Sequence, residues 1–261
     1  MYTLGIDIGS TTSKCAVLKD GTELVGKSLQ RGGLGTDGPA EALAALWRSC
    51  GLTRADMTRT VVTGYGRKNY QGADSEISEL TAHALGGRFV FPDLRTVIDI
   101  GGQDVKGISI DTDGTVKNFA MNDKCAAGTG RFYEAMARSF EMSLPEFSNL
   151  SLTARNVIPI TAQCTVFAES EVITLVGEGK PMDEIAAGIQ MAVAKRCFVM
   201  AKKAGATDAI TLTGGCAKNA GLKQAIERVL KLKVIDLKTD PQLMGALGAA
   251  EYARQKGMAR A

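Results

Sequence analysis

The sequence predicts an α/β protein made of two similar lobes, and three observations support this prediction. A nine-residue pattern occurs twice, as "IDIGSTTSK" at 6–14 and as "IDIGGQDVK" at 98–106. Each copy follows apolar residues typical of a buried strand and is followed by further strand patterns. Helical patterns then alternate with strand patterns in both halves of the chain. We therefore expect one lobe for each copy, with a cleft between the two lobes.

The elements of the first half follow in chain order. The first copy leads into strand patterns over "CAVL" and "TELVGKSL", and Asp20-Gly21 between them predicts a hairpin turn. A helix is predicted over "PAEALAALWRSC", from near Pro39, and a strand over "RTVVTGYG". A helical pattern around "ISELTAHALGG" completes the order β-β-β-α-β-α.

The second half begins in the same way and then adds helices. "GISI" and "TVKNFAM" are predicted strands, and Asp113-Gly114 marks the hairpin turn between them. Three helices are predicted over "GRFYEAMARSF", "TVFAESEVITLVGEG" and "MDEIAAGIQMAVAKRCFVMAKKAG". The chain closes with a strand over "AITLTGG", a helix over "LKQAIERVLK", a strand over "KVIDL" and a helix after Pro241.

These patterns predict the domain boundaries. Residues 1–94 form the first predicted lobe and residues 95–240 form the second, with the boundary near "FPDLR". The last helix, within 241–261, is expected to pack back on the first lobe. The second lobe then carries the cysteine motifs discussed below.

The composition narrows the class of protein. The chain has 261 residues, a formal net charge of +3 and 45% hydrophobic residues, which is typical of a folded globular protein. The small, dispersed charge argues against a nucleic-acid-binding surface, and no run of about 18 apolar residues predicts a membrane span. The N-terminus "MYTLGIDIGS" lacks the basic start and the long apolar segment of a signal peptide. We therefore expect a cytoplasmic protein that binds neither nucleic acid nor a membrane.

An Asp-x-Gly turn after a buried strand is suited to binding the phosphates of a nucleotide. Glycine lets backbone N–H groups approach a phosphate, and hydroxyl side chains after it add donors. Asp7 and Asp99 are expected to hold a hydrated Mg²⁺ ion across a pseudo-twofold axis. Gln103 and Asp104 are suited to orienting a water molecule toward a γ-phosphate. The predicted phosphate-binding residues are Gly9, Ser10, Thr11, Thr12, Ser13, Lys14, Gly101 and Gly102.

A third glycine turn, "TGGCAKN" at 213–219, lies between a predicted strand and a predicted helix. We expect Gly214, Gly215, Lys218 and Asn219 to contact the sugar and base of the nucleotide. Two matching Asp-x-Gly turns and this third turn resemble the actin, Hsp70 and sugar-kinase (ASKHA) superfamily of two-lobed ATPases. That resemblance implies duplicated ribonuclease H-like lobes and ATP or ADP as the bound nucleotide.

Six cysteines occur, at positions 15, 50, 125, 164, 197 and 216, and they include no CxxC pair. Cys125 and Cys164 each come shortly before a predicted helix, whose N-terminus favours a thiolate or an anionic cluster. The other four are expected to be small structural residues. An iron–sulfur cluster needs four thiolates, so two per chain imply a cluster shared across a twofold axis. On spacing alone, this interpretation stays open beside purely structural cysteines.

Longer motifs resemble one family in particular. They are "VIDIGGQDVK", "TGYGR", "NDKCAAGTGRF", "CTVFAESEVI" and "GALGAA". Together they are similar to the activator component of 2-hydroxyacyl-CoA dehydratases, among the BadF/BadG/BcrA/BcrD-type ATPases, over nearly the whole chain. The resemblance implies a homodimer with one 4Fe–4S cluster, to which each chain contributes Cys125 and Cys164. It also implies ATP-driven movement beside the cluster, one-electron transfer to the dehydratase, and re-reduction by ferredoxin or flavodoxin in anaerobic metabolism.

Three alternatives stay open at this point. A related ATPase would serve a protein with a double-cubane iron–sulfur cluster instead of a dehydratase. A small-molecule kinase or a chaperone-like ATPase would use the same nucleotide site without needing Cys125 and Cys164. The sequence assigns no role to Arg67, Glu169 or Glu171. One predicted hairpin runs from Asp104 toward Cys125, which offers a route between nucleotide and cluster.

Overall fold

A computed structural model describes residues 1–123, 125–161 and 164–258 of the chain. The first half has every predicted strand and helix, and one further short strand. Its elements are β1 (Tyr2–Ile8), β2 (Thr12–Lys19), β3 (Glu23–Arg31), α1 (Gly38–Cys50), β4 (Met57–Thr63), β5 (Ser75–Glu76) and α2 (Glu79–Val90).

The second half repeats the opening three strands and then contains more helix. Its elements are β6 (Thr96–Ile100), β7 (Val105–Ile110), β8 (Val116–Asn122), α3 (Gly130–Ser139), α4 (Leu144–Leu150), α5 (Thr165–Gly177), α6 (Met182–Ala204), β9 (Ile210–Thr213), α7 (Ala220–Leu230), β10 (Val234–Ile235) and α8 (Met244–Met258). Each helix predicted for this half is present.

The described residues form two five-stranded mixed sheets with the same topology. The first sheet has the order β3-β2-β1-β4-β5, and the second has the order β8-β7-β6-β9-β10. In both sheets the first strand of the half pairs antiparallel with the next strand and parallel with the fourth. The predicted α/β class is confirmed, and the sequence repeat corresponds to a repeated strand order.

The strands that carry the repeated motif lie at the centre of their sheets. Every residue of β6 is buried, and so is every residue of β1 after Tyr2. Central strands covered on both faces read as continuous apolar runs, which explains why both motifs follow apolar residues. At the turn after β2, Asp20 and Gly21 have φ angles of 51° and 70°, as a two-residue hairpin turn of type I′ requires.

Two elements lie outside the predicted succession. Helix α4 begins with a capping box, in which the Ser143 hydroxyl accepts from the Glu146 N–H and the Glu146 carboxylate accepts from the Ser143 N–H. The Ser-x-x-Glu signal was present in the sequence, but the helix has only seven residues. Strand β5 is two residues long and pairs with Val61 and Val62 of β4, too short for an alternating pattern.

The chain divides into two compact units. The first contains residues 1–94, the hairpin tip Ile110–Lys117 and the described residues from Leu237 onward; the second contains Arg95–Ser109 and Asn118–Asp236. The hairpin tip thus belongs to the first unit, although its residues fall within the range 95–240 of the predicted second lobe. Within the first unit, the Arg88 guanidinium donates to the carbonyl oxygens of Asp111 and Thr112, at 3.0 and 2.9 Å.

Helix α8 packs against the first unit through glycines at very close approach. A β-carbon at Gly5 of β1 would lie 1.9 Å from the carbonyl oxygen of Ala246. A β-carbon at Gly248 would lie 1.8 Å from the carbonyl oxygen of Ala82 on α2. Only glycine permits backbones to come this close. Of the predicted segment 241–261, residues 259–261 lie outside the described residues.

The longest helix, α6, runs through the core of the second unit. It contributes Ile185, Ile189 and Val193 to a cluster of buried apolar side chains that also includes Phe132 and Phe147. Neither α6 nor any other helix in the described ranges is both long and apolar enough to cross a membrane.

Candidate functional site

The two Asp-x-Gly turns have the same local geometry. The Gly9 N–H donates to the carbonyl oxygen of Thr12 at 3.0 Å, and the Gly101 N–H donates to that of Asp104 at 2.9 Å. In the strand pairs that flank these turns, Asp7 lies opposite Lys14, and Asp99 lies opposite Lys106. The repeat therefore extends to the pairing of one aspartate with one lysine in each half.

Both aspartates are buried and paired with these lysines. The Lys14 ammonium lies 3.1 Å from the Asp7 carboxylate, and the Lys106 ammonium lies 3.3 Å from the Asp99 carboxylate. Lys106 also contacts Asp104 at 2.6 Å, so it bridges two carboxylates. Buried charges need such partners, because an isolated charge loses its hydration. Lys106 was not among the predicted site residues, although the lysine at the same offset in both motifs marked it.

Glycines clear the space around the Asp7 carboxylate. A β-carbon at Gly64 would lie 2.5 Å from Asp7 Oδ1, and one at Gly245 would lie 2.7 Å from Asp7 Oδ2. Gly64 and Gly245 belong to the motifs "TGYGR" and "GALGAA". Both motifs therefore place a glycine next to the Asp7 carboxylate. This role of the two motifs was not predicted from the sequence.

The third glycine turn lies beside Asp99, as the turn at Gly64 lies beside Asp7. The Thr213 hydroxyl donates to Asp99 Oδ1 at 2.8 Å, and a β-carbon at Gly214 would lie 2.9 Å from the same oxygen. Thr63 and Thr213 occupy equivalent positions, since each pairs with the motif aspartate of its own sheet. The turn at Gly214 is thus the counterpart of the turn at Gly64, and both have positive φ angles, of 82° and 91°.

The predicted phosphate-binding hydroxyls are placed in two different ways. Ser10, Thr11 and Thr12 lie half-exposed in the first turn. Ser13 is fully buried, and its hydroxyl donates to the carbonyl oxygen of Gly32 at 2.8 Å. The Ser13 side chain therefore supports the turn from the opposite face of β2. Gln103 is exposed at the second turn.

The turn that contains the predicted sugar and base contacts is capped by Asn219. Its side-chain oxygen accepts from the Leu222 N–H at 2.9 Å and so caps α7. The same oxygen also accepts from the Gln190 amide at 3.1 Å. Lys218 and Gly215 are exposed at this turn. Asn219 is thus held rigidly at the start of α7.

The six cysteines divide by exposure. Cys125 and Cys164 are exposed, Cys50 is half-buried, and Cys15, Cys197 and Cys216 are buried. Burial raises the pKa of the Cys15 and Cys197 thiols to about 12 and also raises the pKa of Cys216. A metal ligand must be a thiolate, so these three thiols do not suit a cluster. The two cysteines chosen from the sequence are the two that are exposed.

The exposed cysteines occupy different positions relative to their helices. Cys164 is the N-cap residue of α5, as expected. Cys125 lies in the loop after β8, and α3 begins only at Gly130. The loop is closed by Thr129, whose hydroxyl and N–H both donate to the carbonyl oxygen of Ala126, at 2.7 and 3.0 Å. Helix α3 therefore orients the Cys125 loop but does not place the thiol at its own N-terminus.

The Cys125 loop is bonded directly to the second Asp-x-Gly turn. The N–H groups of Gly130 and Arg131 donate to the carbonyl oxygens of Gly101 and Gly102, at 2.9 and 3.0 Å. A β-carbon at Gly130 would lie 3.2 Å from the Gly102 Cα, so the contact depends on glycine. The first turn of α3 is thus tied to the backbone of the predicted γ-phosphate turn. This route is much shorter than the predicted one through the β7–β8 hairpin.

Three side chains without a predicted role hold local structure. Glu171 of α5 accepts from the N–H and hydroxyl of Thr161, three residues before Cys164. Glu169 accepts from the Ser139 hydroxyl at 3.1 Å and so joins α5 to the end of α3. Arg67 donates to the carbonyl oxygen of Gly64 at 3.0 Å and lies 3.7 Å from Glu79. The contacts of Glu171 and Arg67 hold loop segments, and the contact of Glu169 joins two helices.

The donor sets fit the two expected inorganic groups in different ways. Mg²⁺ usually keeps several waters and binds one or two carboxylates together with substrate phosphates. Within the described ranges, no group of three or more His, Cys, Asp or Glu side chains forms a cage for a metal ion. Each motif aspartate offers one carboxylate, the ligand type that such a Mg²⁺ ion takes from a protein. Two exposed thiols are half of the four ligands that a 4Fe–4S cluster takes, which fits a cluster shared by two chains.

Comparison with known proteins gives matches over almost the whole chain. A model of the BadF/BadG/BcrA/BcrD ATPase family matches residues 4–253. The chain is 49% identical over 253 residues to the activator of lactoyl-CoA dehydratase from Anaerotignum propionicum, with 97% of both chains covered. It is 47% identical over 259 residues to the (R)-2-hydroxyglutaryl-CoA dehydratase activating ATPase from Acidaminococcus fermentans, with 98% of both covered.

Solved structures show the same fold. The activator of the 2-hydroxyisocaproyl-CoA dehydratase from Clostridium difficile, with bound ADPNP, matches with a TM-score of 0.95 and 46% identity. That match covers 100% of this chain and 97% of the other. A ROK family glucokinase from Streptomyces griseus, at 14% identity, matches with a TM-score of 0.58 over 98% of this chain and 100% of its own. The predicted ASKHA-type fold, with duplicated ribonuclease H-like halves, is therefore confirmed.

Proposed function

Because this chain belongs to the BadF/BadG/BcrA/BcrD ATPase family, we propose that it is an ATP-dependent activator that delivers single electrons to a 2-hydroxyacyl-CoA dehydratase. Relatives named as dehydratase activators or activating ATPases, similar over nearly their full length, support this choice of partner. One observation carries the proposal. The turn at Gly101-Gly102 hydrogen-bonds the first turn of the helix that follows the exposed Cys125.

The paired turns are proposed to bind the phosphates of ATP. Backbone N–H groups at the turns and the hydroxyls of Ser10, Thr11 and Thr12 donate to phosphate oxygens. Asp7 and Asp99 bind Mg²⁺ through its waters, while Lys14 and Lys106 keep these buried carboxylates in place. The other proposed phosphate contacts are Gly9, Lys14, Gly101 and Gly102. The Ser13 hydroxyl instead donates to the Gly32 carbonyl oxygen and supports the turn.

Hydrolysis and recognition of the nucleoside are assigned to residues near these turns. Gln103, exposed at the second turn, and Asp104, held by Lys106, orient the attacking water toward the γ-phosphate. The backbone at Gly214 and Gly215 approaches the sugar and base, and Lys218 and Asn219 border the same turn. The ADPNP bound to the structurally similar activator supports a nucleotide as the ligand.

Cys125 and Cys164 from each of two chains are proposed to bind one 4Fe–4S cluster in a homodimer. The cluster, when bound, supplies a carrier for one electron. The position of Cys164 at the N-cap of α5 favours an anionic group, because helix N-termini carry partial positive charge. Glu171 holds the segment before Cys164, and Thr129 closes the loop after Cys125. A cytoplasmic ferredoxin or flavodoxin is the proposed electron donor.

The nucleotide is proposed to control electron transfer through the contact between Gly101-Gly102 and α3. A shift of the second turn on binding or losing the γ-phosphate changes the two hydrogen bonds to Gly130 and Arg131. Helix α3 then moves with the turn, and the Cys125 loop moves with α3. This is a two-state element that both sites contact, as coupling between two sites requires.

The proposal is tested on protein purified without oxygen. We expect about four irons per dimer, the content of one cluster. Cys125→Ala and Cys164→Ala should lose the iron while still binding ADP. Cys50→Ala is the matched control, because the half-buried Cys50 thiol donates to the Leu46 carbonyl oxygen and is not a proposed cluster ligand. The Cys50→Ala variant should retain the iron.

Electron transfer is then followed by stopped-flow absorbance with a purified 2-hydroxyacyl-CoA dehydratase. Oxidation of the reduced protein should be fast with ATP and slow with ADP or ADPNP. Equal rates with all three nucleotides would contradict the coupling. Transfer only to a double-cubane iron–sulfur protein would change the partner to that class. Iron-free protein that hydrolyses ATP, or phosphorylates a small molecule, would contradict the redox function itself.

A further inference from the structure

A chain of three side chains crosses the core of the second unit. The Tyr133 hydroxyl of α3 donates to the Gln190 side-chain oxygen of α6 at 2.8 Å. The Gln190 amide donates to the Asn219 side-chain oxygen at 3.1 Å, and that oxygen also accepts from the Leu222 N–H at 2.9 Å. Tyr133 is 2% exposed and Gln190 is 1% exposed. The three residues thus join α3, α6 and the start of α7 inside an apolar core.

The direction of every bond in this chain is fixed by the backbone. A backbone N–H only donates, so the Asn219 atom facing Leu222 is its oxygen. The Gln190 group facing that oxygen must then be its amide NH₂, which leaves its oxygen for Tyr133. The Tyr133 hydroxyl must therefore donate. It keeps its proton, because burial raises the pKa of Tyr133 well above its usual value.

Burying these polar side chains costs free energy in a core that apolar side chains alone could fill. A buried amide without partners costs free energy, and a buried network is stable only when each member is bonded. Each of the three side chains here has its partner, and neighbouring positions on α6, Ile189 and Val193, are fully apolar. A glutamine in place of an apolar residue at position 190 specifies one relative position of α3 and α7.

The two ends of the chain belong to the two candidate sites. Tyr133 lies three residues after Gly130, in the helix that follows the Cys125 loop. Asn219 ends the turn that starts at Gly214, where the nucleoside contacts are proposed. This contact is separate from the backbone bonds between Gly101-Gly102 and α3, which join the phosphate side of the site to the same helix.

We propose that Gln190 is a positioning residue that links the nucleoside turn to the Cys125 loop, through Asn219 on one side and Tyr133 on the other. The inference rests on the proposed function, since it assumes a nucleotide at the turn and a cluster at the cysteine. Displacement of Asn219 when the nucleotide binds alters its bond to Gln190. Gln190 can follow only by shifting its bond to Tyr133, and α3 then shifts with Tyr133.

The test compares the nucleotide response of the cluster in matched variants. The cluster-loaded dimer is mixed with the iron chelator bathophenanthroline disulfonate in ATP and in ADP, and the ratio of the two iron-release rates is measured. For the wild type we expect a ratio of about 5 or more, the lower end of usual coupling between sites. In Gln190→Met, which keeps the length of the side chain, and in Tyr133→Phe, which removes one hydroxyl, the ratio should fall toward one.

A control separates linkage from loss of stability. Thr96→Val removes another fully buried hydroxyl in the same unit, which bonds the backbone of Thr207 at 3.3 and 3.1 Å. It should lower the melting temperature as Tyr133→Phe does, yet keep the wild-type ratio. Iron content and ADP affinity are measured for each protein. If Gln190→Met does not fold, Tyr133→Phe alone decides the question.

The outcomes separate this inference from the function it assumes. A wild-type ratio well above one that stays unchanged in Tyr133→Phe would overturn the linkage and leave the proposed function standing. A wild-type protein that loads iron and nucleotide but has a ratio of one would overturn the coupling as a whole. A lower ratio in Tyr133→Phe, together with an unchanged ratio in Thr96→Val, would support the linkage.

Discussion

Burial separates the cysteine side chains into two chemical groups. Cys15 and Cys197 have pKa values raised to about 12 by burial, so at pH 8 their thiolate fraction is on the order of 10⁻⁴. Cys125 and Cys164 are exposed. Only the thiolate reacts with an alkylating reagent or binds a metal. The two exposed cysteines are therefore the same two that the sequence motifs selected.

We expect iodoacetamide at pH 8 to modify Cys125 and Cys164 in the cluster-free folded protein and to leave Cys15, Cys197 and Cys216 unmodified. Peptide mass spectrometry measures the extent at each position. Loading with iron and sulfide should protect the first two. The same reagent in urea should modify all six. Modification of Cys197 at the rate of Cys125 in the folded state would contradict the burial of α6.

Lys106 pairs with two carboxylates, whereas its counterpart in the first half, Lys14, pairs with one. Removing one partner of a buried ion pair costs about 3–5 kcal/mol, because the other charge is left unpaired. Lys106→Met leaves two carboxylates, Asp99 and Asp104, whereas Lys14→Met leaves Asp7 alone. We expect Lys106→Met to lose more unfolding free energy than Lys14→Met, measured by urea denaturation at pH 7. An equal or smaller loss would contradict the larger contribution expected of Lys106.

At the level of residues, the repeat indicated where the two matching turns lie, but it did not indicate which way each side chain faces. The repeat predicted Asp7, Asp99 and their turns, and its shared lysine offset also contained Lys106. It did not show that Ser13 points away from Asp7. Alternate residues of a strand face opposite sides, so Ser13 lies on the face of the buried Cys15, while Lys14 lies on the face of Asp7.

Helix α3 joins the two candidate sites because its first turn is bonded to the second Asp-x-Gly turn. Gly130 allows this contact, since a β-carbon there would lie 3.2 Å from the Gly102 Cα and 3.4 Å from the Gly101 oxygen. A larger side chain must push the turn away. The helix start therefore borders the proposed phosphate site, even though no residue of α3 was predicted to bind the nucleotide.

We expect Gly130→Val to weaken ADP binding by about tenfold, or roughly 1.4 kcal/mol, measured by isothermal titration calorimetry. The matched control is Gly177→Val at the end of α5, where a β-carbon would meet no atom within 4 Å. Gly177→Val should bind ADP like the wild type. If both variants bind normally, the turn and α3 move independently.

The elements with a long periodic pattern could be predicted from the sequence. The features that depend on contacts between residues far apart in the chain could not. The long pattern of α6 indicated the helix directly. The bonds between α3 and the Gly101-Gly102 turn join residues about 29 positions apart, and no local pattern contains them. Strand β5 exists because it pairs with β4, and two residues carry no periodicity of their own.

In the whole molecule, the chain returns to the first unit twice, at Ile110–Lys117 and again from Leu237. Leu237 and the residues after it belong to the first unit, where α8 contacts β1, β4 and α2. The first unit is therefore complete only when the end of the chain has been added. Its stability depends on a helix that follows the second unit in sequence.

Two glycines of α8 should respond to alanine with opposite signs. At Gly248 a β-carbon would lie 1.8 Å from the Ala82 carbonyl oxygen, so Gly248→Ala should destabilise the first unit by about 1–3 kcal/mol or more. At Gly257 the nearest atom would be 3.7 Å away, so Gly257→Ala should stabilise by up to about 1 kcal/mol through helix propensity.

Hydrogen exchange locates these effects. Gly248→Ala should speed exchange in β1 and β4 and leave β6 and β9 unchanged, because the latter pair lies in the second unit. Faster exchange in both sheets would show that the two units unfold together. Slower exchange in α8 of Gly257→Ala is the expected control.

The two matching turns differ in charge, and the difference falls at one position. The position of Thr12 in the first turn corresponds to Asp104 in the second, since each accepts the N–H of the first glycine of its turn. The first half sets one carboxylate against one lysine, Asp7 against Lys14. In the second half two acids share one base, because Lys106 contacts both Asp99 and Asp104. Two turns with the same backbone geometry are therefore electrostatically unequal.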